Sequence, residues 1–393
     1  MTSGNRVLIV GGGVGGLFLA NALIAQGIEV VLYEQASAFG EVGAGVYLTP
    51  NSVRHLIRVG LGPAVEEVGA LVGEDSRYYR FDGREIAPVQ VADPSGWNAT
   101  YGMHRADLVE LLCRGLPSGV LHTGHRATGF EQDGDVARVS FQNGEAADAG
   151  IVVGADGIHS ILRPIVHPES KPVFSGTAVY RGLVPREHLD GWRPDVWQMW
   201  LGAGKHFLSF PVRRGELINF VGFVPARGIM RESWTAPGDP DELRQEFEGW
   251  DPRIADLLAH VESTFRWSLY DRDPIPVWTK GRLTLLGDAA HPMLPHLGQG
   301  ANQSIEDGMA LSLLLGASDP VDAPAALQTY ESLRRTRVAE VQIGARRNGM
   351  RYDSMEGDLE RRDAEIRAHA EFRRELYGFD VVQQVTEVLQ APR

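Results

Sequence analysis

Three glycines at positions 11, 13 and 16, in the run RVLIVGGGVGGLFLANAL, have the spacing that folds a backbone tightly around a phosphate. The missing Cβ serves a different end at each. Gly11 permits a tight turn, Gly13 lets a pyrophosphate approach the main chain, and Gly16 lets helix and strand pack closely. Val14 opens the helix, whose free N–H groups and dipole favour negative charge. Glu34 closes the next strand with Gln35 beside it, where a carboxylate accepts a bond from a ribose hydroxyl. An unphosphorylated ribose suits that carboxylate, so NAD or FAD fits better than NADP. A glycine turn in an ordinary α/β protein is the plain alternative, but strand, turn, helix, strand and acid here fall in register.

Two later segments carry similar chemistry. IVVGADGIHSILR, residues 151–163, runs from a buried strand into a turn holding Asp156 and Gly157. RLTLLGDAAHPMLPHLGQGAN, residues 282–302, ends a strand at Asp288, and Pro292 and Pro295 hold the loop that follows rigid and extended. Gly298 and Gly300 then free the backbone before a long helix with Ala301 and Asn302 in its first turn, a second anion site. Arg105, just before an expected Asp107 N-cap, reaches a phosphate or a flavin edge, or equally serves as a surface salt bridge. His206 stands among strands, as a structural histidine or a general base. Arg181 and Arg213 are candidates for a substrate carboxylate, or surface charges.

The elements that must position these groups alternate between two architectures. Residues 7–10, 30–33, 151–153 and 282–287 read as buried parallel strands. Residues 77–91 form a hairpin around Asp82-Gly83, and residues 173–224 are antiparallel again. There Trp197, Met199, Phe207, Ser209, Phe210, Asn219 and Phe220 are expected to wall a flat, partly apolar pocket. Glycines 40, 43 and 45 suggest close backbone approach to a ligand, or a flexible connector. From Ala323 onward the chain reads as helix, broken near Gly344, Gly349 and Gly357.

Composition narrows the function. The chain has 393 residues and a formal net charge of −13, which argues against sequence-independent nucleic-acid binding. No apolar run reaches the length of a membrane span, and the expectation is a cytoplasmic protein without a signal peptide. Cys113 is the only cysteine, which removes dithiol relays and cysteine-rich metal sites; no metal is expected. It reads as a buried small hydrophobe.

Taken together, GGGVGG with Glu34, GADGIHSILR and GDAAHPMLPHLGQGAN resemble the FAD-dependent aromatic hydroxylases, single-component flavoprotein monooxygenases that include salicylate hydroxylase and 3-hydroxybenzoate 6-hydroxylase. The resemblance implies an α/β fold like that of para-hydroxybenzoate hydroxylase. A discontinuous Rossmann-like FAD-binding domain would span residues 1–72, 97–171 and 270–350. An inserted antiparallel β-sheet substrate domain would span 73–96 and 172–269, and C-terminal helices 351–393. It implies non-covalently bound FAD, with NADH or NADPH and O2 as co-substrates, and a small aromatic substrate hydroxylated through a flavin C4a-hydroperoxide. By the same resemblance Gly11, Gly13, Val14, Gly16, Glu34 and Gln35 would hold the ADP part, and Arg105, Asp156, Gly157 and Asp288 the pyrophosphate and ribityl chain. Gly298, Gly300, Ala301 and Asn302 would lie against the isoalloxazine, and His206 would be the base. Pro295, which the resemblance places at both the catalytic and the cofactor-binding site, stands where a relative pairs that base with a glutamine, and this leaves the catalytic set incomplete. A homodimer stays open. A flavin-dependent halogenase lacks support because WxWxIP is absent, a disulfide-type reductase lacks its second cysteine, and a silent flavin-binding regulator is the remaining alternative.

Overall fold

The computed structural model describes residues 6–40, 44–168, 170–226, 236–354 and 359–391. Its fold is α/β, with a Rossmann-like parallel sheet, an antiparallel sheet and C-terminal helices. The strands Val7–Val10, Val30–Tyr33, Ile151–Gly154 and Leu283–Leu285 are apolar and almost wholly buried, as parallel strands covered on both faces must be. They stand in the order Leu283–Leu285, Ile151–Gly154, Val7–Val10, Val30–Tyr33. Their register sets Leu285 beside Gly154, Gly154 beside Val10, and Val10 beside Tyr33. Asp288, Asp156, Gly11 and Glu34 therefore emerge along one edge, at the carboxyl ends where such sheets take ligands.

Two helices rise from that edge together. A Cβ on Gly15 would come 2.9 Å from Ser304 Cβ, one on Gly308 2.8 Å from Phe18 Cδ1, and one on Gly316 3.0 Å from Gln26 Oε1. The contacts ascend in step along Val14–Ala25 and Gly300–Gly316, so the helices run parallel with their N-termini side by side. Behind the second helix, buried Glu306 meets Arg334 at 2.7 Å and Arg337 at 2.9 Å. Burial pushes the Glu306 carboxyl up, but the two guanidinium groups outweigh it and bring it to about 2.

The eight-stranded sheet places the hairpin Arg77–Arg80 and Glu85–Pro88 next to Gln198–Leu201, followed by His206–Val212, Leu217–Pro225, Pro172–Pro185 and Thr264–Arg272. Strand alternation sorts its residues onto two faces. Phe207, Phe220 and Trp200 pack with Leu243, Phe247 and Leu257 under the helices Pro240–Glu246 and Pro252–Ala259. His206, Leu208, Phe210, Asn219 and Phe223 take the other face, as their cross-strand pairing requires. The single wall expected of Trp197 to Phe220 is thus corrected: Phe207, Ser209 and Phe220 turn away from the face that carries Phe210 and Asn219.

Ala323–Tyr352 is one 30-residue helix, so the breaks expected at Gly344 and Gly349 do not occur. Those glycines instead admit neighbours, Leu297 at the first and His296 at the second; Gly357 lies outside the described residues. Leu359–Gly378 and Val381–Gln390 complete the C-terminal helices. Among the described residues no helix is long and apolar enough to cross a membrane.

Candidate active site

The first glycine turn divides its labour. Gly11 has φ +113°, and a Cβ there would stand 2.2 Å from the Ala155 carbonyl oxygen. A Cβ on Gly16 would stand 2.1 Å from the Gly11 oxygen, whereas one on Gly13 meets no protein atom within 4 Å. Gly11 and Gly16 serve packing, and Gly13 leaves its side open. Glu34 locks the turn: Oε2 accepts the Gly12 N–H at 2.6 Å and Oε1 the Ala36 N–H at 2.7 Å. Each oxygen keeps acceptor capacity. Glu34, Gln35, Arg126 and Gln142 line an open groove beside it.

On the next strand, Asp156 Oδ2 accepts the Ile161 N–H at 2.8 Å, while Oδ1 is buried without a partner among the described residues. Burial raises its carboxyl. Gly157 has φ +76° with open space at its Cβ position. After residues 160–162 comes a single helical turn, Arg163–Val166. Arg163, overlooked in the sequence, is buried and donates to the carbonyls of Ala289 at 2.6 Å, Asp288 at 2.7 Å and Ile158 at 2.8 Å. It straps the Asp156 and Asp288 turns together, and burial lowers it to about 10.

Asp288 is exposed between buried neighbours, yet protein mass around it pushes its carboxyl up against the pull of His291, Arg105 and Arg163. A Cβ on Gly300 would stand 3.9 Å from its Oδ1. Arg105, half-buried, begins the helix Arg105–Arg114, and its N–H donates to Ala44 O at 2.8 Å. The N-cap is His104, not Asp107. Asp107 holds Arg213 with two bonds of 2.9 Å, which makes Arg213 half of a structural ion pair. Arg181 is buried with its guanidinium 4.6 Å from the Trp267 ring centroid.

At the far end, Pro295 is exposed and Gly298, Gly300 and Ala301 are half-buried in an otherwise buried segment. Pro295 lies in the short 3₁₀ turn Pro295–Leu297 rather than in extended chain, and Gly298 leaves that turn with φ +65°. The Asn302 side chain is fully engaged: Oδ1 accepts the Thr49 N–H at 2.9 Å, and Nδ2 donates to Gly298 O at 2.7 Å and Tyr47 O at 2.9 Å. Only its backbone is available to a ligand. Gly45 approaches protein, with its N–H donating to Asn219 Oδ1 at 2.8 Å; Gly40 is exposed, and Gly43 lies outside the described residues.

His206 is wholly buried, stacked on Phe223 at 3.9 Å, with Nδ1 2.7 Å from Asp353 Oδ1 and Nε2 without a partner among the described residues. The His296 ring lies 5.3 Å away. Burial, with His206 alongside, pushes the His296 imidazole down to about 3. Pro295 has no polar side chain to offer; the polar neighbours of His206 come from His296, one residue on, and from Asp353. Sequence spacing carries no signal for either, because three distant segments meet here. Cys113 is half-buried, and burial pushes its thiol up to about 11, unsuited to a nucleophile.

Two parallel helices without side-chain caps at their N-termini, an open Gly13, an Asp156 oxygen unpartnered among the described residues and an exposed Asp288 on one sheet edge are features that suit a long, doubly phosphorylated cofactor. These residues fit FAD. The model of the FAD binding domain family matches residues 5–344. A 3-amino-4-hydroxybenzoate 2-monooxygenase of Streptomyces platensis is 40% identical over 91% of this chain and 90% of its own length. A salicylate hydroxylase of Pseudomonas putida is 38% identical over 89% of this chain and 86% of its own. The solved structure of a salicylate hydroxylase substrate complex superposes with a TM-score of 0.86 at 29% identity, covering 100% of this chain and 99% of that one. The chain belongs to the FAD-dependent aromatic hydroxylases.

Proposed function

We propose that this enzyme hydroxylates a phenolic or hydroxypyridine-type ring, using NAD(P)H and dioxygen, and that it works in the cytoplasm. The observation that carries the reading is His206: a buried imidazole whose Nε2 has no partner among the described residues, next to the turn that leads into Gly298. Gly11, Gly13, Val14, Gly16, Glu34 and Gln35 hold the adenosine and pyrophosphate. Arg105, Asp156, Gly157 and Asp288 serve the pyrophosphate and ribityl chain, and the backbone of Gly298 to Asn302 faces the ring system, with Pro295 lining the substrate side. Bound FAD supplies the redox chemistry that passes one oxygen atom of O2 to the aromatic ring. The helix N–H groups after Gly298 favour negative charge on the cofactor. His206 Nε2 takes the proton of the ring hydroxyl, which makes the adjacent carbons more nucleophilic. Leu208, Val221 and Phe223 on the same sheet face keep water from the reacting atoms.

The test is NADH or NADPH consumption with product mass, measured over a panel containing salicylate, 3-amino-4-hydroxybenzoate and hydroxypyridines. A ring that both stimulates consumption and gains one oxygen is the expected result. Stimulation by no ring, with FAD bound, would support the silent regulator instead. In His206→Ala, FAD is retained and reductant still consumed, but the oxygen leaves as hydrogen peroxide.

A further inference from the structure

We infer that Asp353 is a positioning residue for His206: its carboxylate fixes the ring tautomer so that Nε2 carries the lone pair that receives the substrate proton. This rests on the reading of His206 as the base. A carboxylate only accepts hydrogen bonds, so the 2.7 Å contact from Nδ1 to Asp353 Oδ1 puts the hydrogen of the neutral ring on Nδ1 and leaves Nε2 as the acceptor. The ring plane is held independently by Phe223, stacked at 3.9 Å with an interplanar angle of 13°. Two contacts from different elements thus determine which nitrogen is free and where it points. A fully buried nitrogen without a partner, as Nε2 is among the described residues, is costly in a finished core; it is what a site keeps for a ligand that brings its own donor.

Asp353 reaches this place through the end of the helix Ala323–Tyr352, whose last turn it closes by donating its N–H to Gly349 O at 3.0 Å. Gly349 is the residue packed against His296, so one helical turn orders both histidines. The family match ends at residue 344, short of Asp353. The other ionisable groups around His206 among the described residues have partners or are held neutral. His296 stays neutral, driven down to about 3 by burial. Tyr352, its ring 5.3 Å away, accepts from Arg373 at 2.8 Å. Lys205 is paired with Glu246, and beyond the neighbouring strand Arg80 pairs with Asp363 at 2.6 Å while Arg362 donates to Gly202 O. Among the described residues, Asp353 is the carboxylate in contact with the ring.

The proton step balances without a further reagent. The substrate O–H bond breaks and an Nε2–H bond forms, giving a phenolate and an imidazolium whose two N–H groups face the phenolate oxygen and the Asp353 carboxylate. The Asp353 side chain, 2.7 Å from Nδ1, lies beside the charge that appears on the ring. The proton returns from Nε2 to the hydroxylated product.

The experiment compares Asp353→Asn, Asp353→Glu and His206→Gln with the wild-type holoenzyme, using the ring that the substrate panel identifies. Asp353→Asn is expected to lower kcat for product roughly 10- to 100-fold, with KM and FAD content little changed and the acid limb of the pH profile moved to lower pH. Asp353→Glu recovers part of the loss. In parallel, ring-¹⁵N histidine spectra of the wild-type holoenzyme are expected to show His206 protonated at Nδ1 and bare at Nε2, a readout that needs no variant and no turnover. The opposite tautomer overturns the proposal, as does an Asp353→Asn enzyme with unchanged kcat and pH profile while His206→Gln makes no product. Full product yield from His206→Gln overturns the base reading and this proposal with it.

Discussion

The last turn of the helix Ala323–Tyr352 presses Gly349 directly against the imidazole of His296: a Cβ at Gly349 would lie 2.5 Å from Cδ2 and 2.7 Å from Nε2. A glycine in a helix interior costs up to about 1 kcal/mol relative to alanine, so this position gives up helix stability to admit the ring. His296 is buried, and its backbone is pinned where Asn348 Nδ2 donates to its carbonyl at 2.7 Å. The ring has no easy retreat.

Gly349→Ala should therefore displace His296 toward His206. Overpacking of this kind costs about 1–3 kcal/mol, part of which the better helix propensity of alanine offsets. The expected enzyme binds FAD normally but releases more hydrogen peroxide per reductant consumed. A product-to-reductant ratio equal to that of the wild type would mean that the ring has room to move.

The glycine turn gives a sharper contrast. At Gly16 a methyl group meets the Gly11 oxygen at 2.1 Å, a backbone atom that cannot yield, whereas at Gly13 it meets no protein atom within 4 Å. Gly13 has φ −74°, which alanine adopts without strain. Gly16→Ala is expected to lose folded protein. Gly13→Ala should give an apoprotein with a wild-type thermal midpoint but at least about tenfold weaker FAD binding, a difference of about 1.4 kcal/mol. Flavin fluorescence titration of the two apoproteins checks both, and equal FAD affinity in Gly13→Ala would remove that glycine from the cofactor site.

What was legible in the sequence follows from where each constraint is written. Gly11, Gly13, Gly16, Glu34 and Asp288 declare themselves because a strand, a turn and a helix start stand within one short segment, and backbone geometry there admits few residue types. That the four core strands are buried on both faces, as in a parallel sheet, is implied by their apolar runs; their order is not. His206, His296 and Asp353 meet from three segments, and no local pattern records a meeting of that kind. The two faces of the antiparallel sheet were legible in principle: Phe207 and Phe210 differ by an odd number of positions and cannot share a face. Gly344 and Gly349 misled because a glycine that breaks a helix and one that admits a neighbour look alike until the neighbour is known. Arg163 was invisible for a similar reason, since a buried arginine satisfied by carbonyls leaves no acidic partner in the sequence to mark it.

His296 also sets a pH dependence of stability. Burial, joined by the adjacent His206, lowers its imidazole from an ordinary 6.5 to about 3. The folded protein therefore binds fewer protons than the unfolded chain between those values, and stability rises with pH across that window. The contribution is fully present above pH 6.5 and is lost as the pH falls, with about 2 kcal/mol gone at pH 5 if His296 acts alone. Replacing it with a side chain that does not titrate should flatten this part of the curve. The thermal midpoint of the wild-type holoenzyme is therefore expected to fall relative to that of His296→Gln between pH 7.5 and pH 5, whatever their offset at neutral pH. Parallel curves over that range would show that His296 is protonated as easily in the folded protein as in the unfolded one, and that the imidazole beside His206 is not held neutral.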